Sequence, residues 1–377
     1  MTPPTPGAPA PTPAPPSQRL MSLDALRGFD MFWIIGAEGL VEGLRKITDS
    51  GPIRLLADQL EHKSWEGFHF EDLIFPMFVF IVGVSLVFSL SKTIEQSGRT
   101  AAVVRIIRRA ALLYLLGLFY YGGFATPFER IRLLGVLQRI AICYLFASLL
   151  FCYLKPKALA WVCAGILIGY WALMTFVPVP DFGAGNFGEG KNLANYIDKQ
   201  FLPLRKWDGD HDPEGLLSTL PAIANCLLGV FAGLLLKDAS RPDRKKVAFL
   251  IGAGLASLAL GWLWHFQFPV IKKLWTSSFV LVACGYSALL LAVFYQIIDV
   301  WKLRTWAMPF VWIGVNPITI YMAHNLVDFD KIAQRFVGGQ LNGYFGNYGQ
   351  LIVALVSLAI VFCLLHFLYR RKIFLRL

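Results

Sequence analysis

Ionisable side chains inside or beside apolar stretches are where this sequence can do chemistry. His62, in the string EHKSWEGFHF that precedes an apolar run, is the side-chain type best suited to accept and return a proton near neutral pH. Carboxylates surround it in sequence: Glu66 follows four residues later, and Glu71 and Asp72 open the apolar run itself. A nearby carboxylate can fix an imidazole tautomer or raise its basicity. Asp30 and Glu38 lie within an earlier apolar run, Arg139 lies about two turns into another, and Asp212-Pro213-Glu214 stands at the entrance to a third. Asn316-Pro317 interrupts a further run that ends at His324-Asn325. A charge at the centre of a membrane helix costs roughly 2.5–3.5 kcal/mol on insertion scales, so each of these residues needs an internal partner or a task.

Structural roles compete with chemical ones at most of these positions. Asp212 and Pro213 suit an N-cap and first helical position, and Glu71-Asp72 suit a helix N-terminus. His69, His366 and His265, the last beside Trp262 and Trp264, fit packing or interfacial positions. Arg105, Arg108 and Arg109 form a cluster that serves orientation or phosphate binding. Trp65 stacks on a sugar face or anchors at the interface. The chain contains no GxSxG, HExxH or P-loop string, which removes motif support for hydrolases, zinc proteases and nucleotide triphosphatases. It also has no CxxC or Cys/His cluster of zinc spacing, so no metal site is expected. A histidine with carboxylates at one side and basic residues at the other suits group transfer across a bilayer.

The elements that must position these groups follow from composition. Of 377 residues, 56% are hydrophobic and 16% charged, against about 25% charged in soluble domains. Mean hydropathy is +0.57. An ordinary soluble enzyme is excluded. At ~20 residues per crossing the expected fold is all-α, a polytopic membrane bundle of about ten transmembrane helices. Apolar segments run over 24–44, 71–91, 101–121, 132–154, 158–178, 213–236, 246–268, 276–299, 304–325 and 350–369. Residues 1–18 hold eight of the 21 prolines and have neither a positive leader nor an apolar core. They are expected to be a disordered tail with no cleavable signal peptide, leaving 19–377 as one transmembrane domain without obvious internal repeats.

The formal charge of +11 is read by location. With the N-terminus inside and sides alternating, 20 of the 35 Lys and Arg fall on one side, most densely in the 92–109 and 237–246 connections. Both termini are therefore expected in the cytoplasm, and the surplus reports orientation rather than a nucleic-acid partner. The long connections 45–70, 179–212 and 326–349 then lie outside, and Glu38, His62, Glu71, Asp72, Asp212, Glu214 and His324 map to the outer third. The six cysteines all fall in apolar runs and read as small buried packing residues.

At SLDALRGFDMFW (22–33) followed by HKSWEGFHFEDLIFPMFVFIVG (62–83), the chain resembles the transmembrane acyltransferases typified by heparan-α-glucosaminide N-acetyltransferase. The likeness continues through GVLQRIAICYL (135–145), DPEGLLSTLPAI (212–223), IKKLWTSSFVL (271–281) and GVNPITIYMAHNLV (314–327), in order and at plausible spacing. It implies an enzyme that takes acetyl from cytosolic acetyl-CoA, as co-substrate and without a metal, to the amine of an amino sugar or glycan across the membrane. The catalytic set so implied is His62 with Glu38 and Asp72, Glu38 standing where the family has an asparagine. Arg139, Arg108 and Arg109 become candidates for the CoA phosphates, and Trp65, Glu66, Asp212, Glu214, Asn316 and His324 for the acceptor. The extra lumenal domain of animal members is missing, as expected of a bacterial form in the inner membrane, and a homodimer is implied as the partner state beside the lipid bilayer. Two other readings stay open: O-acylation of envelope glycans, and an amino-sugar permease suggested by the break at Asn316-Pro317.

Overall fold

In lipid an apolar run satisfies its backbone only as a helix or a closed barrel, and the computed structural model, which describes residues 20–48 and 50–374, is built from helices. The expected tail, 1–18, lies outside the described residues. In chain order the helices are α1 (Met21–Phe32), α2 (Glu38–Ile47), α3 (Gly51–Gln59), α4 (Glu71–Tyr120), α5 (Val136–Tyr153), α6 (Pro156–Phe176), α7 (Leu193–Phe201) and α8 (Thr219–Lys237). They continue as α9 (Asp243–His265), α10 (Ser277–Phe294), α11 (Met308–Gly314), α12 (Pro317–Leu326), α13 (Phe329–Val337), α14 (Gln340–Phe345) and α15 (Gly349–Arg370).

Seven helices among the described residues are long and apolar enough to cross a membrane: α4, α5, α6, α8, α9, α10 and α15. Two expected segments, 71–91 and 101–121, share the 50-residue α4. A straight helix of that length would measure ~75 Å, over twice a bilayer core. Gly98, at φ 81° and ψ 172°, turns the chain back on itself. Arg105 Nη1 then reaches across the turn to Thr93 Oγ1 at 2.8 Å. The segments expected at 24–44 and 304–325 are each broken. A wide π-type turn at Trp33–Ala37 separates α1 from α2, and Asn316-Pro317 separates the 7-residue α11 from the 10-residue α12.

The first arm of α4 packs along α8 so closely that a methyl added at Gly83 would lie 2.0 Å from the Cys226 carbonyl oxygen, and one at Gly229 2.0 Å from that of Phe80. Glycine here lets two backbones touch. The main core lies among α4, α5, α8 and α10 and includes Phe80, Tyr144, Leu227 and Phe279. Five cysteines are buried; Cys363 departs from expectation by facing outward from α15.

The bundle has two chemically different ends. At one, Ser22 N–H bonds Asp299 at 3.1 Å, Lys237 meets Glu95 at 3.1 Å, and Asn316 Nδ2 donates to the Ile373 carbonyl at 3.0 Å, which gathers both described chain ends beside the basic α8–α9 turn. At the other, the segments 60–70, 121–135, 177–218 and 266–276 interlock. Tyr170 Oη donates to the Leu274 carbonyl at 2.6 Å, and Glu66 pairs as a β-bridge with Ile271.

Candidate active site

Asp72 organises the second end. It sits in the first turn of α4, where exposed N–H groups favour a carboxylate, and it is fully buried. The preceding chain wraps it, so that Oδ2 accepts from the N–H of His69 at 3.0 Å and of Lys63 at 3.3 Å. Oδ1 lies 3.2 Å from His62 Nδ1 and 3.4 Å from Lys272 Nζ. Lys272 Nζ is also 3.0 Å from His62 Nδ1 and 3.4 Å from Nε2. One ring nitrogen donates or accepts but does not do both. With Nδ1–H given to Asp72, Nε2 keeps its lone pair while the Lys272 ammonium balances the buried carboxylate. Burial pushes that ammonium down, against the pull of Asp72 and Glu71. The His62 side chain is 59% exposed, so its ring meets whatever enters.

What it faces is a cavity of about 440 Å³. His62, Glu71, Arg132, Glu214, Lys272 and Tyr321 contribute polar atoms, and Ile74, Phe75, Phe78, Ile140 and Ile318 contribute an apolar wall. Arg132 is clamped. Its guanidinium donates to Asp212 at 2.9 Å and 2.6 Å and to Glu214, and lies 4.8 Å over the Tyr121 ring and 4.9 Å over Trp207. Burial alone would lower its basicity, yet Asp212 and Glu214 hold it above the ordinary arginine value. The fork geometry of guanidinium suits two carboxylates at once.

Of the residues expected from sequence to share a site, His62 and Glu214 line this cavity, with Asp72 buried behind His62 and Asp212 behind Arg132. Arg139 is buried behind the wall, bonded to the Gly215 carbonyl at 3.3 Å and to Ser218, with the cavity-lining Trp275 ring 4.9 Å away. Trp65 and Glu66 frame the His62 loop: Trp65 Nε1 donates to the Phe187 carbonyl at 3.0 Å, and Glu66 lies 3.5 Å from His265. Glu38 and His324 line a second cavity of about 680 Å³ that shares only Ile34 with the first. Asn316 is buried against the chain's end, one residue before the cavity-lining Pro317. Arg108 is exposed, and Arg109 lies 4.6 Å over Tyr144, more than a turn beyond Arg139 on α5.

Sequence reasoning missed Lys272, Arg132 and Tyr321. A signal existed for the first two, since both are basic residues on the side where positive charge is under-represented.

The sequence model of a family described as "Heparan-alpha-glucosaminide N-acetyltransferase, catalytic" matches residues 19–267. The chain belongs to that family. Human heparan-alpha-glucosaminide N-acetyltransferase is 28% identical over 371 residues, covering 83% of this chain and 55% of its own length. The mouse protein of the same name is 26% identical, covering 83% and 56%. The chain thus spans about half the length of the curated relatives it matches. Within this transmembrane N-acetyltransferase family the matched segment holds His62, Asp72, Arg132 and Glu214, while Lys272 falls five residues beyond it.

Proposed function

We propose that this chain is an integral-membrane acyltransferase that moves acetyl from acetyl-CoA to the amine of an amino sugar or amino-sugar glycan, with His62 as base or acetyl carrier. The observation that carries the reading is the Asp72–His62–Lys272 cluster beside a cavity that also has an apolar wall. An amino sugar arrives largely as its ammonium. His62 Nε2 takes one ammonium proton and releases it to water, the freed amine attacks the thioester carbonyl, the C–S bond breaks, and the second proton that the nitrogen must lose passes through His62 to the departing CoA thiolate, which leaves as the thiol. In the relay form Nε2 itself attacks, the C–S bond breaks and CoA leaves as the thiol with the proton given up by Nδ1; the amine, its ammonium proton lost to water, then displaces the imidazole, which regains a proton from the acylated nitrogen. Ile74, Phe75, Phe78 and Ile318 suit the pantetheine arm. Both described chain ends lie at the basic end, and the charge bias supports a reading with that end in the cytoplasm and the His62 cavity on the opposite, periplasmic side of a bacterial inner membrane.

Purified protein given labelled acetyl-CoA and glucosamine should form an acid-stable amide, and His62→Ala should form none while inserting normally. Turnover by that variant near the wild-type rate removes His62 from the chemistry. A hydroxylamine-labile product would instead mark O-acylation. The broken pairs α1/α2 and α11/α12, which both reach the cavity, favour a permease as the second reading. Sugar uptake into proteoliposomes lacking acetyl-CoA would decide for it.

A further inference from the structure

We propose that Glu189, Asp208 and His211 form a binding site for a divalent transition-metal cation of the zinc type, which competes with the Lys273 ammonium for the same place. One ligand atom from each of the three lies within 4.8 Å of the others. His211 is 93% buried by side chain, and its Nε2, with no hydrogen-bond partner among the described residues, points between Glu189 Oε1 at 3.8 Å and Asp208 Oδ2 at 3.9 Å. Its Nδ1 lies 2.8 Å from Asp210 Oδ1. A carboxylate holding Nδ1–H leaves the Nε2 lone pair outward, which is how metal-binding histidines are oriented by their second shell.

Three acceptors therefore converge with no donor among them, an arrangement that repels itself unless a cation sits between. Lys273 now serves two of the three, with Nζ 2.9 Å from Glu189 Oε1 and 2.9 Å from Asp208 Oδ2. One ammonium leaves half of that carboxylate charge unbalanced. A dication balances both carboxylates and takes the imidazole as third ligand. One nitrogen and two oxygens suit zinc and manganese better than magnesium, which keeps to oxygen and water. The site lies beside the His62 cavity, which Asp208 and Lys273 both line. Metal binding there releases Lys273 into the cavity as a second ammonium next to Lys272.

The test is zinc alone, titrated calorimetrically into the full-length protein after chelator treatment in detergent. One saturable site per chain is expected, with an X-ray absorption shell of nitrogen and oxygen and no sulfur. Asp210→Asn should weaken binding by about 10–100-fold, and His211→Ala and Asp208→Asn should abolish it. Lys273→Met removes the competitor and should tighten binding, a change in a direction that misfolding cannot produce. Zinc uptake that is absent, or that is the same in all four variants as in the parent chain, overturns the proposal.

Discussion

Asp72→Asn is the sharpest probe of single-residue chemistry. It keeps shape and volume but replaces the buried charge that fixes His62 Nδ1–H and balances Lys272. Acetyl transfer should fall by about 10²–10⁴-fold, the usual worth of acid–base catalysis, with little change in CoA affinity. Steady-state kcat and KM for acetyl-CoA separate these. Arg132→Ala leaves Asp212 and Glu214 buried without the guanidinium, and should lower stability by about 3–5 kcal/mol; Arg132→Lys should rescue little, because an ammonium lacks the planar fork that engages both Asp212 oxygens and Glu214 at once. Asp198 gives a pH signature. It accepts from Leu216 N–H at 2.8 Å, and burial pushes its carboxyl from 3.8 up to about 6. The native state then holds a proton between pH 4 and 6 that the unfolded chain has released, so stability falls as pH rises through that window, by roughly 3 kcal/mol at 1.36 kcal/mol per unit. Melting temperatures in detergent should show the slope, and Asp198→Asn should flatten it.

Among elements, the α4–α8 contact rests on absent side chains. Gly229→Leu must push α8 off the Phe80 carbonyl, which already lies 2.0 Å from where a methyl would be. Overpacking of this kind typically costs about 1–3 kcal/mol, and both melting temperature and activity should drop, since α4 carries Asp72 and α8 follows Glu214 directly. The membrane-length helices themselves were legible: apolar runs of about twenty residues locate α4, α5, α6, α8, α9, α10 and α15 to within about six residues, whereas α7 falls in the stretch 179–212 expected to be a connection. The breaks were only half legible. Asn316-Pro317 announces itself, whereas the turn at Trp33–Ala37 depends on Gly36 at φ 153°, one glycine among 33. That turn directs Glu38 into the lining of the second cavity, which adjoins the His62 cavity at Ile34. Linear spacing from Arg27-Gly28 could not show it, because a helix count assumes an unbroken helix. The same limit hid Lys272: it reaches His62 through the bridge between Glu66 and Ile271, a pairing 205 positions apart that no local pattern encodes.

At the scale of the molecule, the charge bias predicts sidedness. Ser240→Cys, in the basic α8–α9 turn, should react with a membrane-impermeant maleimide only from the cytoplasm, and Asp181→Cys, at the other end, only from outside, in a background lacking the exposed Cys363. Labelling of both from one side would invert or break the proposed topology. Composition gave the class of architecture and the two chemically distinct ends, but the depth and walls of the cavity arise only when α1, α4, α5 and α12 are brought together. The hairpin at Gly98 adds a further consequence, for biosynthesis. One continuous stretch lays down Asp72 at its start and Tyr121, the platform for Arg132, just past its end, so a single hairpin carries both walls and is synthesised before the later helices that close the cavity. Lys272 emerges 200 residues after Asp72. Until then Asp72 has His62 and the N–H groups of Lys63 and His69 as partners but not the ammonium that balances it, so a chain truncated before residue 272 lacks the cation of its own site.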